Sequence, residues 1–337
     1  MVSLKKPAMS PLTGSACFYP HRMPTCASEN QSRILPMDLQ RFALRASIEV
    51  LTVKYSSALQ IFTKKGYMRN GAPKPRRLRR RLKSMILQFD SIYRLVLLRK
   101  YGRPLPESLG EGHFPNGVLK NKSEWRDALD FGRRAHLPLH RAPEKNWDHL
   151  AAVAAINANC QKDARILDAG SELYSNVLPA LFMLGFRHLY GMNLAFQDVA
   201  KRGPIRYLPG DITDTRFESS NFDAVTCLSV VEHGVPLEAF FEEMFRLLKP
   251  GGLLIVSTDY YPSKTDTGGI SAYGVPVKIF SQEELEEMLA IANTAGFEMT
   301  AGLDLSCCER PVYWPEVDLR FTFVIVTLRK PSPRSTN

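Results

Sequence analysis

From Glu144 to about Lys330, short apolar runs alternate with amphipathic stretches, and no other feature of the chain constrains its fold as much. The runs include ARILDAG, HLYGMNL, IRYLPGD, FDAVTCLSVVEH, GGLLIVST and LRFTFVIVTLRK; between them lie NVLPALFMLG, PLEAFFEEMFRLL and SQEELEEMLAIANTAG. A run as apolar as LLIVS has no polar face to offer water, so it suits a sheet covered on both sides by the intervening helices. The pattern predicts a doubly wound, mostly parallel, seven-stranded α/β sheet over residues 144–330. Several helix ends are signed locally. Ser281 and Glu284 make a capping box, Gly296 sits at a left-handed stop, Pro236 suits a first turn, and Lys249-Pro250-Gly251-Gly252 ends one helix and opens the next strand.

The rest of the chain has another texture. Residues 1–35 carry scattered Pro, Ser, Thr and Asn without an apolar period, which predicts poor order, as does the short tail 331–337. Residues 36–143 read as a basic helical extension and connector. One helix is predicted from Asp38, through Leu39, Phe42, Ile48, Leu51, Tyr55 and Leu59, and a second runs from Leu78 through Leu82, Met85, Ile86, Phe89, Ile92 and Tyr93 to a stop at Gly102 and Pro104. A Gly-, Pro- and His-rich connector follows, with one short helix near Glu124 to Arg134.

Charge is concentrated in this extension. Between Lys64 and Arg103 fourteen lysines and arginines face Asp90 alone, although the whole chain is only +10, so the remainder is net acidic. Three partners suit such a segment: an anionic membrane surface, a phosphorylated substrate met as a lid folds over, or, with less support, RNA, for which no interleaved aromatic motif is present. Plain packing is the fourth reading. No stretch approaches the roughly 18 apolar residues of a membrane span, and the first thirty residues lack a secretory core, so the expected location is cytoplasmic, with a peripheral membrane site left open. Six cysteines without a C-x-x-C pair read as reduced thiols, and the seven histidines show no metal-ligand spacing.

In a doubly wound sheet, ligands collect outside the carboxyl ends of the strands. The residues to inspect are therefore Asp168, Ala169, Gly170, Ser171 and Glu172, then Asn193, then Asp211 and Ile212, then Ser229 to His233, and Asp259 to Tyr261. In this order ILDAGS, GDITDTRFESSNFDAVTCLSVVEH and MFRLLKPGGLLIVST resemble the class I S-adenosylmethionine (SAM)-dependent methyltransferases, in particular the methyltransferase type 11 group, over about residues 144–330. The resemblance implies SAM as cofactor, with Asp168 and Gly170 near its methionine part, Asn193 at the ribose, Asp211 and Ile212 at the adenine, and Ser229 lining the floor. Two positions depart from the family pattern: Glu172 replaces the second glycine of D-x-G-x-G, and Asn193 replaces an acid.

The resulting expectation is methyl transfer to a small-molecule or glycan-like acceptor, at oxygen. The alternatives are a non-catalytic binding protein on the same fold, and a methyltransferase brought to RNA or a membrane-associated substrate by its basic helices. His233 is the first candidate base, with Asp259 and Glu232 behind it; Glu232 and His233 could instead cap the helix that starts at Pro236. Tyr260 and Tyr261 could floor the acceptor pocket or belong to the core. The glycine-bearing stretch 263–280 is where acceptor contacts are expected, and Trp314 could border the same cleft or simply pack.

Overall fold

The computed structural model describes residues 83–105, 115–272, 274–315 and 318–333. The expectations for residues 1–35, for the helix from Asp38 and for the last four residues lie outside the described residues. What is described falls within one compact unit that runs from Pro73 to Asn337.

The elements follow in order as α1 (Asp90–Tyr101), β1 (Gly117–Val118), α2 (Lys122–Arg134), α3 (Asn146–Asn159), β2 (Arg165–Ala169), α4 (Val177–Met183), β3 (His188–Asn193), β4 (Ala200–Arg202), β5 (Ile205–Pro209), β6 (Phe222–Leu228), α5 (Leu237–Leu247), β7 (Leu248–Tyr260), β8 (Ser271–Ala272), β9 (Val275–Pro276), α6 (Gln282–Thr294), β10 (Glu298–Met299), β11 (Val312–Trp314) and β12 (Leu319–Arg329). The main sheet runs β1-β12-β7-β6-β2-β3-β5-β4, with β10 and β11 also paired to β12. Strands β7, β6, β2, β3 and β5 are mutually parallel, and β12 is antiparallel to β7. This is the predicted doubly wound, mostly parallel core. The sheet reaches ten strands because two- and three-residue pieces extend its edges.

Both faces are covered, as the apolar runs require. One core layer joins Ile166, Leu189 and Ile255 to Leu150, Val153 and Ile156 of α3 and Leu178 and Phe182 of α4. The other joins Leu167, Val225 and Leu254 to Phe240, Phe241 and Met244 of α5 and Leu285 and Met288 of α6. Helix α6 begins with the predicted capping box, Glu284 N–H donating to Ser281 Oγ at 3.2 Å and Ser281 N–H to Glu284 Oε2 at 3.0 Å.

The sequence changes texture at 144, but the packing does not. Tyr93 of α1 stacks on Phe182 at 5.8 Å, and Leu97 is buried in the same layer. Residues 78–82 of the second predicted helix lie outside the described residues; the rest is interrupted at 87–89, where Leu87 O accepts from Gly203 N–H at 2.8 Å, and resumes at Asp90 with Tyr93 and Leu97 as its buried positions. Met85, Phe89, Leu95 and Val96 stay exposed. Within the expected irregular connector, β1 pairs with the centre of β12, and α2 is capped by Asn121, whose Oδ1 accepts from Ser123 and Glu124 N–H.

Candidate active site

The carboxyl ends of β2, β3, β5, β6 and β7 form one rim, and all twelve predicted site residues lie on it or on the turns leaving it. At the end of β2 the chain turns at Gly170, whose φ is +82° and whose N–H donates to Met192 O at 2.8 Å. A Cβ at 170 would lie 2.3 Å from Val230 Cγ2, so only glycine permits this approach between the β2 and β6 turns. Asp168 is buried beneath the turn, accepting from Thr226 Oγ1 at 2.7 Å and Ser175 Oγ at 3.2 Å. Burial holds its carboxyl above the usual aspartate range, against those two bonds. Asp168 therefore organises the loop from below, while Ala169 and Ser171 are buried beside it.

Asn193 does not point outward. Its Nδ2 donates to Gly170 O at 3.1 Å and Ser171 O at 3.2 Å, and its Oδ1 accepts from Ala195 N–H at 2.8 Å. The side chain expected at the ribose is a clasp holding the β2 turn against β3. The departure from an acid then has a physical reason, because a carboxylate cannot donate to two carbonyl oxygens. Replacing Asn193 by Asp should cost about 1–3 kcal/mol in urea unfolding, the price of two lost donors facing partly buried acceptors; a change below a few tenths would show that the clasp contributes nothing.

Glu172 is half-buried and its carboxylate makes no hydrogen bond or ion pair among the described residues. Leu194, which follows the clasp, is 73% exposed although apolar. It lies beside the end of β5, since Asn193 registers with Pro209, and there Asp211 Oδ1 accepts from Thr213 N–H at 2.9 Å and Oγ1 at 2.8 Å while Ile212 is buried.

The ends of β6 and β7 carry the titratable groups. Ser229 has φ +53°, a conformation that costs a non-glycine residue about 1–2 kcal/mol, and its N–H is held by Ser257 O at 2.9 Å. Glu232 and His233 form their own 3-10 turn and do not cap α5, which has no side-chain cap. Glu232 is buried, accepts from Thr258 Oγ1 at 3.1 Å, and is pushed up to about 8 by burial and then by the neighbouring Asp259 carboxyl. Asp259 is likewise buried and pushed up to about 6. His233 is lowered below 6.5 by burial and by the Lys145 charge.

Lys145 is the residue that sequence reasoning missed. It arrives from the 3-10 turn before α3, donates to Ser229 Oγ, lies 3.8 Å from Asp259 Oδ1, and sits 3.9 Å from the centre of the Phe323 ring. Behind it Ser257 Oγ donates to the buried Asp148 carboxylate at 2.6 Å. One cation thus serves an acid-rich pocket.

The titrations set the sign of a pH effect. Glu232 keeps its proton in the folded protein where the unfolded chain has lost it, so its stabilising contribution is complete below about pH 4.5 and disappears as pH rises through about 8. The Tm difference between wild type and Glu232→Gln should therefore shift in favour of the variant from pH 6 to pH 8.5 in a calorimetric series; a constant difference would show that Glu232 ionises normally.

Beyond the turn lies a cavity of about 510 Å³, bounded by Val231 to Leu237 on one side and by residues 264–280 on the other. The second wall is anchored to the sheet: Phe280 N–H donates to Asp259 O and Tyr261 N–H to Phe280 O, each at 3.0 Å. Glu232 lines this cavity; His233 and Asp259 do not. Tyr260 is fully buried, its hydroxyl donating to Leu305 O at 3.2 Å, so it belongs to the core. Tyr261 is half-buried under the Arg310 guanidinium at 3.7 Å, and Trp314 packs with Leu119, Val312 and Phe321.

Residues 167–256, from within β2 to within β7, match the family model described as a methyltransferase domain. Over that segment the chain is similar to a methyltransferase domain, on a sheet with the Rossmann-like order of the class I SAM-dependent methyltransferases. A sterol 24-C-methyltransferase of Candida albicans is 33% identical over 129 residues, 35% of this chain and 34% of that protein. One from Gibberella zeae is 25% identical over 224 residues, 58% of this chain and 56% of that protein. The chain thus spans about a third to a half of the curated relatives it matches. Among solved structures, a SAM-dependent methyltransferase from Mesorhizobium loti aligns at 17% identity over 55% of this chain and 97% of its own, with a TM-score of 0.38. The matched methyltransferase segment contains every predicted site residue except Asp259, which lies three positions past its end.

Proposed function

We propose that the chain moves a methyl group from SAM to a hydroxyl of a small-molecule or glycan-like acceptor seated in the cavity beside Glu232. The observation that carries this is a buried carboxyl, at about 8, lining a cavity at the carboxyl ends of the strands. Such a group lies near the working pH, where a general base is most effective. SAM supplies an activated methyl carbon; the protein's part is to orient the acceptor, exclude water and receive a proton. Glu232 takes the role first expected of His233, because it alone of the two reaches the cavity wall. Asp259, with Lys145, sits behind it and sets its charge environment.

The donor side fits SAM in three respects. The Gly170 turn lets backbone approach the methionine part closely. The unpartnered Glu172 carboxylate suits the ammonium of that part, which explains an acid where a glycine is usual. Leu194, with Ile212, offers apolar surface to the adenine, and Asp211 keeps one oxygen for a hydrogen bond. Ser229 closes the floor. A carbon acceptor is the second reading, favoured by the relatives named as sterol 24-C-methyltransferases.

Isothermal titration with SAM and S-adenosylhomocysteine tests the donor assignment, with binding expected in the micromolar range and at least tenfold weaker in Glu172→Gly. No binding at millimolar ligand sinks the enzyme reading in favour of a non-catalytic protein, and tighter binding by the variant would mean that Glu172 obstructs. The position of a deuterated methyl group in the product separates oxygen from carbon.

A further inference from the structure

We propose that the acceptor carries an anionic group, a phosphate or a carboxylate, and that Lys264 and Lys278 at the cavity wall hold it. This rests on the methyltransferase reading and specifies which acceptor that site takes. Part of the cavity lining is apolar, with Val231, Val235, Leu237, Ile279 and Phe280. The same lining carries Lys264, Lys278 and Glu284 beside Glu232.

The charges there do not balance. Burial opposes ionisation of Glu284, but the Ser281 N–H bond and the Lys278 and Lys264 ammonium groups outweigh it, and the carboxyl sits below the usual glutamate range. Glu284 is also committed: one oxygen closes the capping box and the other lies 3.7 Å from Lys278 Nζ. Glu232, the remaining acid, is raised to about 8 by burial, so only a minor fraction of it, the fraction that can act as a base, is ionised at neutral pH. Two ammonium groups therefore face little more than one carboxylate. Lys278 Nζ lies 4.3 Å from the centre of the Phe280 ring, and its side chain stays 43% exposed. Lys264 makes no hydrogen bond and no ion pair among the described residues.

Excess positive charge in the wall of a partly apolar cavity concentrates anions and orients them as they enter. A phosphate or carboxylate held there would gain charge-assisted bonds from two directions. The rest of the acceptor would then lie along the apolar wall, with its hydroxyl at Glu232. A neutral acceptor would enter past the same two cations without engaging either, so the lysines would have no part in its recognition.

The test uses the full-length protein, methyl-tritiated SAM, and a small-molecule extract of the cells that make it, with labelled product separated on an anion-exchange resin. Label is expected in the retained fraction, and phosphatase treatment releases it if the group is a phosphate monoester but not if it is a carboxylate. Lys264→Gln/Lys278→Gln should label at least tenfold more slowly at low extract concentration while binding SAM as wild type does. Label in the unretained fraction, no label above a control without enzyme, or equal labelling by the double variant overturns the proposal. Failure of wild type to bind SAM is a separate result and removes the methyltransferase reading itself.

Discussion

Replacing Lys145 by Met should destabilise the protein by about 2–3 kcal/mol at pH 7.5 and abolish methyl transfer. Removing one member of a buried pair costs about 3–5 kcal/mol, because the other charge stays behind without compensation. Here the contact is 3.8 Å and the lysine side chain is 22% exposed, so the cost falls at or just below the lower end of that range. The sign with pH is fixed. Asp259 titrates at about 6 with the cation present, and its loss drives the carboxyl higher, so protonation relieves the defect and the destabilisation should shrink below pH 6. Adding Asp259→Asn to the lysine variant should recover most of the stability but not the activity. Urea unfolding at pH 5.5 and 7.5 on the single and double variants is sufficient, and an unchanged midpoint in Lys145→Met at pH 7.5 would remove Lys145 from the centre of the site.

The second large effect belongs to Gly170→Ala. A Cβ at φ +82° is strained and also falls 2.3 Å from Val230 Cγ2, so strain and overpacking together should cost about 2–4 kcal/mol. Relief by movement would open the seam between the β2 and β6 turns, and SAM affinity should drop more than tenfold in calorimetry. Val230→Ala in the same chain removes the Cγ atoms that collide and should return part of the stability. Wild-type SAM affinity in Gly170→Ala would mean that the turn adapts freely and that glycine is not required there.

Much of this was legible in the sequence because it is local. Runs such as LLIVS and AVTCLSV declare a sheet covered on both faces, and the Ser281–Glu284 spacing declares a helix start, whatever lies elsewhere. The rim of candidate residues followed from topology, since a doubly wound sheet brings its strand ends together. Roles were less legible than places. Asn193 looked like a weakened ribose contact because its partners, the carbonyls of Gly170 and Ser171, belong to a different strand's turn. The sequence puts His233 ahead of its neighbour Glu232 as the base, but of the two only Glu232 lines the cavity. Lys145 gave no signal: its sequence context, PEK, is an ordinary turn, and its importance comes from Ser229, 84 residues away, and from Asp259 beyond it.

The two-residue strand β1 bears on how the chain acquires its fold. Residues 115–119 are tied to β12 by Thr327 N–H donating to Asn116 Oδ1 at 2.6 Å, Thr327 Oγ1 donating to Pro115 O at 2.9 Å and Thr322 Oγ1 donating to Leu119 O. These contacts close loops of 203 to 212 residues. During synthesis the early segment emerges long before its partner strand exists, and it must wait through the making of the whole domain. Closure of so long a loop is slow relative to local helix formation, so β1 docks late and seals β12 as a final step. Until then the middle of that edge of β12 presents open backbone groups, which leaves the chain open to pairing with its neighbours before β1 docks.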